Sequence, residues 1–480
     1  MLACEQGTTL GPMDTFHAAL VITGLGAASA LVAIPRPAPT SVTASGLARP
    51  TAPGTRQEAE PRSDITDEAA RVIHQAILTL DTHKDISERL ADPALKALAE
   101  SGDANGQRLY QKNEPTLDGT SQVDFPKMRD GGLDAAFFIV YVGQGKLDDD
   151  GFALARKQAQ AKFDAIHRMT ERYPEEIALA TSADEVEAAD AAGKLIACIG
   201  IENGYCMGTD LDAIGEFHAM GARYMGLVHN RHSQLGDSHT PANAPLHGGL
   251  SELGRRAIEE MNRVGIMVDI SHAAKTTTLQ AIAHSKAPVI ASHSGVDGVF
   301  DHGRNLSDEE LMALKQNGGV LQCVAFRSYV RDDGGRLEFL VKTRKELGLP
   351  VGRGIQGAEQ SPEMRAKSRE LRDRMKAFDA TSEPANVQDF VNHIDYAVEK
   401  IGIDYVGISS DFDGGGGVDG WNNARETINV TKELLKRGYT AEEIQKIWSG
   451  NTLRVWREVE AVAKQAAADA SADASGEAGK

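Results

Sequence analysis

From Ile73 onward, short β-branched apolar runs alternate with amphipathic stretches in which apolar residues recur at helical spacing. This alternation is typical of parallel strands joined by crossover helices. Eight apolar runs are predicted to be strands, at 77–80, 135–142, 195–201, 224–228, 266–270, 289–291, 320–324 and 405–408. Eight such units close naturally into a ring, so the pattern predicts an α/β protein with a (β/α)8 TIM barrel, in one domain over 65–464.

One segment breaks the alternation. Residues 327–386 are rich in charged residues with helical spacing, which predicts a helical insertion after the seventh strand. A solvated helical hairpin is the simplest interpretation of this insertion. A lid over the active site and a contact between subunits are the alternatives.

The two ends of the chain have a different composition from the barrel. Residues 1–34 include an apolar stretch, and the Pro/Ala/Thr-rich residues 35–64 follow it. We interpret them as a signal peptide and a flexible linker, which predicts export, with an N-terminal membrane anchor or an unstructured extension of a cytoplasmic protein as alternatives. Residues 465–480 lack an apolar face and are predicted to be a disordered tail.

Composition and charge restrict the partners of the barrel. The chain has 480 residues, of which 41% are hydrophobic and 25% charged, as in globular proteins. Its formal net charge of −18 repels polyphosphate, and no cluster of Lys and Arg offsets that charge locally, so we expect no nucleic-acid partner. We also expect no stable membrane insertion of the body, because no later apolar run approaches the ~20 residues of a spanning helix. The sequence leaves open whether the chain forms a homodimer.

Candidate chemistry is found where the predicted strands end. In a (β/α)8 barrel the active site lies at the C-terminal ends of the strands. Six of these ends carry an imidazole or a carboxylate where ordinary turns would carry Gly, Asn or Pro. They are His83 with Asp85, Glu202, His229, His272, His293, and Asp411 with Asp413.

Five of these residues are candidate metal ligands. His83 and Asp85 are two apart on an extended segment, so their side chains point the same way. Glu202 has two oxygens that can reach two ions, while His272 and His293 supply nitrogen ligands. We predict one ion held by His83, Asp85 and Glu202, and another held by Glu202, His272 and His293. This set suits two Zn²⁺ ions best, with manganese and cobalt as alternatives, and would acidify a shared water molecule.

The remaining polar strand ends are assigned to proton transfer and substrate. Asp411 is the candidate acid/base that protonates a leaving amine, with Asp413 as the alternative, and glycines follow both. His229 is not needed as a ligand and could donate to a carbonyl oxygen that gains negative charge.

With these residues assembled, the sequence resembles the renal (membrane) dipeptidase family of metallopeptidases over about residues 80–459. The matching segments are 122–129 (QVDFPKMR), 221–229 (GARYMGLVH), 268–272 (VDISH), 288–293 (PVIASH), 304–305 (RN), 410–414 (SDFDG) and 450–456 (GNTLRVW). The resemblance implies a dipeptidase with two zinc ions on the five predicted ligands. It also implies that His229 and Arg304 contact the substrate and that Asp411 is the acid/base. Arg304 could clamp a terminal carboxylate through two hydrogen bonds.

The sequence departs from the family in one place beside the ligands. Lys84 stands between His83 and Asp85, where the family more often has a small polar residue, and we expect it to alter the mouth of the cleft. The family also includes members that open β-lactam rings, so the preferred substrate is left open.

The same strand-end residues also bear on two alternative functions. Another barrel hydrolase, acting on a lactam, a lactone or an N-acyl amino acid, more often begins with His-x-His and uses a modified lysine as the bridge. A non-catalytic barrel used as a binding module would lack a ligand or the acid, and none is missing here. Both alternatives are therefore less favoured than a metal-dependent dipeptidase.

Overall fold

The computed structural model describes residues 65–240, 244–332, 334–349, 361–381 and 383–477. The predicted signal peptide and linker lie outside these residues, so export stays a prediction. No helix within the described ranges is both long enough and apolar enough to cross a bilayer.

Parallel strands form the centre of the fold. In chain order the strands are β1 (Leu80–Asp85), β2 (Ala135–Tyr141), β3 (Ile177–Leu179), β4 (Leu195–Glu202), β5 (Ala222–Gly226), β6 (Met267–Asp269), β7 (Ile290–Val296), β8 (Asn305–Leu306), β9 (Val320–Val324) and β10 (Val406–Ser409). Eight of them pair in the order β1-β2-β4-β5-β6-β7-β9-β10, while β3 is added beside β4 and β8 beside β7. A parallel bridge between Lys84 and Phe412 brings the first strand against the chain that follows the last. The predicted eight-stranded barrel is confirmed.

Helices connect the strands. They are α1 (Asp67–Ala76), α2 (Ala94–Glu100), α3 (Ala104–Asn113), α4 (Phe125–Gly131), α5 (Asp149–Arg172), α6 (Ala183–Ala191), α7 (Asp212–Ala219), α8 (Glu252–Val264), α9 (Lys275–His284), α10 (Asp308–Asn317), α11 (Arg327–Val330), α12 (Arg336–Glu346), α13 (Pro362–Asp379), α14 (Val387–Ile401), α15 (Ile428–Lys436), α16 (Ala441–Gln445) and α17 (Asn451–Glu477). Single helical turns lie at Gly204–Met207, Ile403–Tyr405, Ala424–Glu426 and Lys446–Gly450.

The insertion after the seventh barrel strand is helical, as predicted. It contains α11, α12 and α13, and α12 packs on α13 through stacked rings of Phe339 and Phe378 whose centroids are 4.6 Å apart. Arg336 donates to Asp379 at 2.6 Å beside this contact. Helices α12 and α13 thus pack against each other through a small contact of their own.

The C-terminal segment differs from the prediction. Helix α17 continues to Glu477, through most of the tail expected to be disordered from residue 465. Alanine dominates this stretch, and its high intrinsic helix propensity extends the helix beyond the residues that pack on the barrel. An apolar face was the wrong criterion here, because the helix is already nucleated by its packed N-terminal part.

The barrel interior is filled by large side chains. The ring of Phe137 lies 5.1 Å from that of Tyr224 and 5.6 Å from that of Trp456, between centroids. Gly200, opposite Tyr224 in the register of β4 and β5, has no space for a side chain because a Cβ there would overlap the tyrosine ring. This close approach lets the Tyr224 hydroxyl reach the ligand-bearing end of β1.

Candidate metal centre

All the sequence-predicted ligands meet at the C-terminal rim of the barrel. His83 and Asp85 lie on β1, Glu202 ends β4, and His293 lies on β7. His272 follows β6 in a turn. All five side chains are buried. Parallel strands place their carboxyl ends on one rim, so five residues spread over 211 positions of sequence share one small volume.

Glu202 is the centre of the cluster. Its Oε1 lies 3.1 Å from Nε2 of His272, 3.4 Å from Nε2 of His229 and 3.5 Å from Nε2 of His293. Its Oε2 lies 3.8 Å from Nε2 of His83, which is also 3.9 Å from an Asp85 oxygen. One carboxylate therefore faces imidazoles from four strand ends, with an oxygen towards each side.

Outer hydrogen bonds fix the tautomers of three histidines. The Tyr224 hydroxyl donates to the Thr82 carbonyl, so at 3.0 Å it accepts from Nδ1 of His83. Nδ1 of His272 donates to the Asn230 Oδ1 at 3.0 Å. With Nδ1 protonated in each ring, Nε2 carries a lone pair.

The third imidazole is oriented through a relay. The Ser292 hydroxyl donates to Asp269 at 2.7 Å, and it therefore accepts from Nδ1 of His293 at 2.8 Å. Asp269 also accepts from the backbone N–H groups of Ser271 and Ser292. Partners of this kind are usual behind metal-ligating histidines, where they orient the ring and raise its basicity.

These tautomers fit a divalent cation. Nε2 of His272 and Nε2 of His293 lie 2.9 Å apart, although both carry lone pairs. Nε2 of His83 is buried and has no hydrogen-bond partner within the described residues. Converging lone pairs beside a carboxylate repel one another, and a divalent cation between them would relieve this repulsion.

A second carboxylate lies on the Asp85 side. Ligand atoms of His83, Asp85 and Asp411 lie within 4.8 Å of one another, as do those of two other groups that share Glu202. Gly414 makes this approach possible, because a Cβ there would collide with oxygens of both Asp85 and Asp411. Gly414 therefore leaves room for the carboxylates of Asp85 and Asp411 to lie side by side.

The backbone around the site is strained. Non-glycine residues with positive φ include Asn203 (77°), His272 (68°), Asp411 (53°) and Asp413 (61°), each at a strand end of the cluster. Such conformations are unfavourable for L-residues and persist where surrounding contacts hold them, most often at functional sites.

Burial and charge set the protonation states. Burial lowers the pKa of both His83 and His272 well below 6.5, with a contribution from the positive charge of Arg304. Burial opposes ionisation of Glu202, but His229, His272 and His293 outweigh it and lower the pKa of Glu202 well below 4.5. His83 and His272 are thus neutral and Glu202 is ionised near neutral pH, the state in which these groups bind metals.

The predicted substrate contacts border the ligands. His229 packs edge-on against the ring of Tyr141 and is the most exposed of the four clustered imidazoles, at 8%. Arg304 is buried, and its guanidinium donates to the His293 carbonyl at 2.8 Å and to the Ser294 hydroxyl at 3.3 Å. A cavity of about 230 Å³ is lined by Arg304, Ser294 and His272 among others.

The structure also adds to the predicted site and corrects it. His229 lies as close to Glu202 as the predicted ligands do and groups with Glu202 and His272. Lys84, expected at the mouth of the cleft, is buried and pairs with Asp413 at 3.4 Å. Sequence reasoning missed the orienting residues Tyr224, Asn230, Asp269 and Ser292, because each resembles an ordinary core or turn residue; only their positions in or next to strand ends could have indicated them.

Histidines and carboxylates gathered at the C-terminal rim of a parallel barrel define a barrel hydrolase of the metal-binding class. A family model described as membrane dipeptidase (peptidase family M19) matches residues 67–470. The chain therefore belongs to the membrane dipeptidase family, as its motifs indicated, and is a hydrolase of the dipeptidase type. This membership favours the predicted enzyme over a non-catalytic barrel.

Relatives of known name agree with this assignment. Dipeptidase tcpJ of Claviceps purpurea is 30% identical over 355 residues, covering 73% of this chain and 72% of the relative. Dipeptidase 3 of Rattus norvegicus is 30% identical over 345 residues, covering 71% of this chain and 59% of the relative.

Solved structures share the fold. The probable dipeptidase PvdM from Pseudomonas aeruginosa is 31% identical, with a TM-score of 0.70 over 82% of this chain and 98% of the other. A metallo peptidase from Rhodobacter sphaeroides, solved with a phosphinate mimic of the dipeptide L-Ala-D-Ala, has a TM-score of 0.59 at 23% identity, over 80% of this chain and 99% of the other. The second similarity supports the barrel alone.

Proposed function

We propose that this chain hydrolyses the peptide bond of dipeptides with the help of two divalent metal ions, and that the metal is zinc. The observation that carries the proposal is the convergence of Nε2 atoms from His83, His272 and His293 on the carboxylate of Glu202. Membership of the membrane dipeptidase family supports the choice of a dipeptide.

The donor set divides between two ions. His83, Asp85 and Glu202 would hold one, and Glu202, His272 and His293 the other. Glu202 can serve both because its two oxygens face different histidines. When bound, such a pair of ions acidifies a water molecule and polarises the amide carbonyl.

Asp411 transfers the proton that amide cleavage requires. An amine leaves poorly unless it is protonated, and the Asp411 carboxylate lies within 4.8 Å of ligand atoms of His83 and Asp85. It can accept a proton from the attacking water molecule and pass that proton to the leaving nitrogen. Its backbone is held at φ 53°, which keeps the carboxyl at the rim of the barrel.

His229 and Arg304 are assigned to the substrate. His229, the most exposed clustered imidazole, can donate to the carbonyl oxygen as negative charge develops there. Arg304 is already oriented by the His293 carbonyl and the Ser294 hydroxyl, and it offers its remaining N–H groups to the terminal carboxylate of the dipeptide. A carboxylate receptor this close to the metal centre favours a substrate of two residues over a longer peptide.

The test combines metal analysis with turnover. Purified protein is analysed for zinc and assayed with L,L and L,D dipeptides, with and without chelator. We expect bound metal and chelator-sensitive turnover in the unaltered chain, and neither in Glu202→Ala. The matched control is Glu216→Ala, which removes a surface carboxylate on α7. Undiminished turnover in Glu202→Ala or in the metal-free protein would refute the proposal.

A further inference from the structure

Lys84 lies between two candidate ligands but faces away from them. Successive side chains of a strand point to opposite faces, so His83 and Asp85 face the metal centre and Lys84 does not. The Lys84 side chain is only 4% exposed, and its ammonium lies 3.4 Å from Oδ2 of Asp413 and 5.4 Å from the centroid of the Phe138 ring. A buried ammonium is tolerated only with such a partner, so the ion pair is a constraint on both segments.

Asp413 connects this lysine to two other parts of the chain. Its carboxylate accepts from the Ser121 hydroxyl at 2.6 Å and from the backbone N–H of Gln122 at 3.3 Å. Its own N–H donates to the Gln122 side chain at 2.7 Å. Asp413 therefore links β1 and the 121–122 segment to residues 411–417, which we call the Asp411 turn.

The Asp411 turn lies at the seam of the barrel. In the part of the chain that the structure describes, β1 and the segment after β10 are joined by one bridge, between Lys84 and Phe412. Within it the Asp85 N–H donates to the Phe412 carbonyl at 2.9 Å. The Ser410 N–H donates to the Asp81 carboxylate at 2.8 Å nearby. Side-chain hydrogen bonds therefore supplement the single backbone bridge at this seam.

The turn requires holding because its backbone is strained. Asp411 and Asp413 both have positive φ, a conformation that surrounding contacts must maintain in L-residues. We infer that Lys84 is a positioning residue: its buried ammonium, paired with Asp413, holds the Asp411 turn against β1 and so fixes Asp411 beside Asp85. The catalytic consequence rests on the proposed function, whereas the attachment of the turn does not.

The kinetic arm uses the metal-loaded full chain. Lys84→Met is expected to lower kcat by about tenfold, a size typical of coupled neighbours, with KM and metal content unchanged. Asp413→Asn should lower kcat similarly, and the double variant should be no slower than the slower single variant. In an Asp411→Asn background, Lys84→Met should cause no further loss, since the lysine acts through Asp411.

The second arm measures backbone attachment directly, by amide hydrogen exchange of residues 411–417. We expect faster exchange in Lys84→Met and in Asp413→Asn than in the unaltered chain. The matched control is Arg437→Met, which breaks a partly buried ion-pair group with Glu433 of α15 and Asp395 of α14, and should leave exchange in the turn and kcat unchanged.

The outcomes separate the two claims. Unchanged exchange and kcat in Lys84→Met overturn the positioning role, and so does a further fall of kcat in the Asp411→Asn background. If Lys84→Met does not fold, Asp413→Asn decides by the same two readings. Absence of dipeptide turnover in the unaltered chain would refute the proposed function alone, because exchange in the turn would still show whether Lys84 holds it.

Discussion

Nε2 of His272 and Nε2 of His293 lie 2.9 Å apart, while the other nitrogen of each ring donates to a separate partner. Both facing atoms therefore carry lone pairs, and the negative Glu202 carboxylate lies beside them. This arrangement is unfavourable by itself and becomes favourable around a cation. The fold thus holds together a set of lone pairs and a carboxylate that suits a bound cation.

Metal removal should therefore destabilise the protein. Free metal at a hundred times its Kd adds about 2.7 kcal/mol per site to the free energy of unfolding, since the unfolded chain does not bring these donors together. We expect the melting temperature to fall on chelation and to recover when zinc is added back, as measured by calorimetry. In His293→Ala this zinc-dependent difference should shrink strongly. An equal melting temperature with and without chelator would contradict the interpretation of the cluster.

The barrel was predictable because its strands are buried on both faces, which gives continuous apolar runs. Strand β1 begins three residues later and ends five residues later than the predicted 77–80, and its end was missed because His83, Lys84 and Asp85 do not look like strand residues. They extend the strand because each charged or polar group finds a partner inside the protein. The short strands β3 and β8 have three and two residues and no pattern that distinguishes them from loops.

The ligands of the candidate site were predictable from the sequence, but the contacts that orient them were not. Ligands at strand ends follow from topology, because the rim of a parallel barrel collects them without any knowledge of side-chain packing. Packing itself was not predictable: nothing in the sequence indicates that Tyr224 reaches across the barrel to His83, or that Lys84 turns towards Asp413. These contacts depend on three-dimensional fit, such as the space left by Gly200.

Loss of an orienting hydroxyl should weaken metal binding. Ser292→Ala removes the acceptor of the His293 Nδ1 proton and a donor to Asp269. Such replacements lower metal affinity by about 10–100-fold, and we expect a change of this size in competition with a chromophoric chelator. Ser101→Ala, at the exposed end of α2, is the control. Equal zinc affinity in Ser292→Ala and the unaltered chain would argue against the relay.

His218, which lies outside the candidate site, should make the folded protein less stable at acid pH. Burial, aided by the charge of Arg223, lowers the pKa of His218 from 6.5 to about 4. The unfolded chain therefore binds a proton between these values that the folded chain does not, so stability falls as pH drops from about 6.5 towards 4. In His218→Gln the fall of melting temperature over this interval should be shallower. An identical pH profile would contradict the assignment.

The last prediction separates proton transfer from metal binding at Asp411. Asparagine has nearly the same shape as aspartate. The shape matters here because the Asp411 side chain fits closely against Gly414, where any Cβ would collide with it. Asp411→Asn should therefore keep the turn and the metal content, and leave KM near its original value. It removes the group that carries the proton, so kcat should fall by about 10²–10⁴-fold.

Steady-state kinetics and zinc analysis on the same preparation test this prediction. Asp395→Asn, a partly exposed carboxylate paired with Arg437, is the control for the chemical change and should retain full kcat. If Asp411→Asn loses zinc together with activity, then Asp411 is a ligand, which its 4.8 Å grouping with His83 and Asp85 would also allow. If Asp411→Asn keeps its zinc but loses most of its kcat, the residues that hold the metal are intact. The loss of kcat then assigns the transfer of the proton to Asp411.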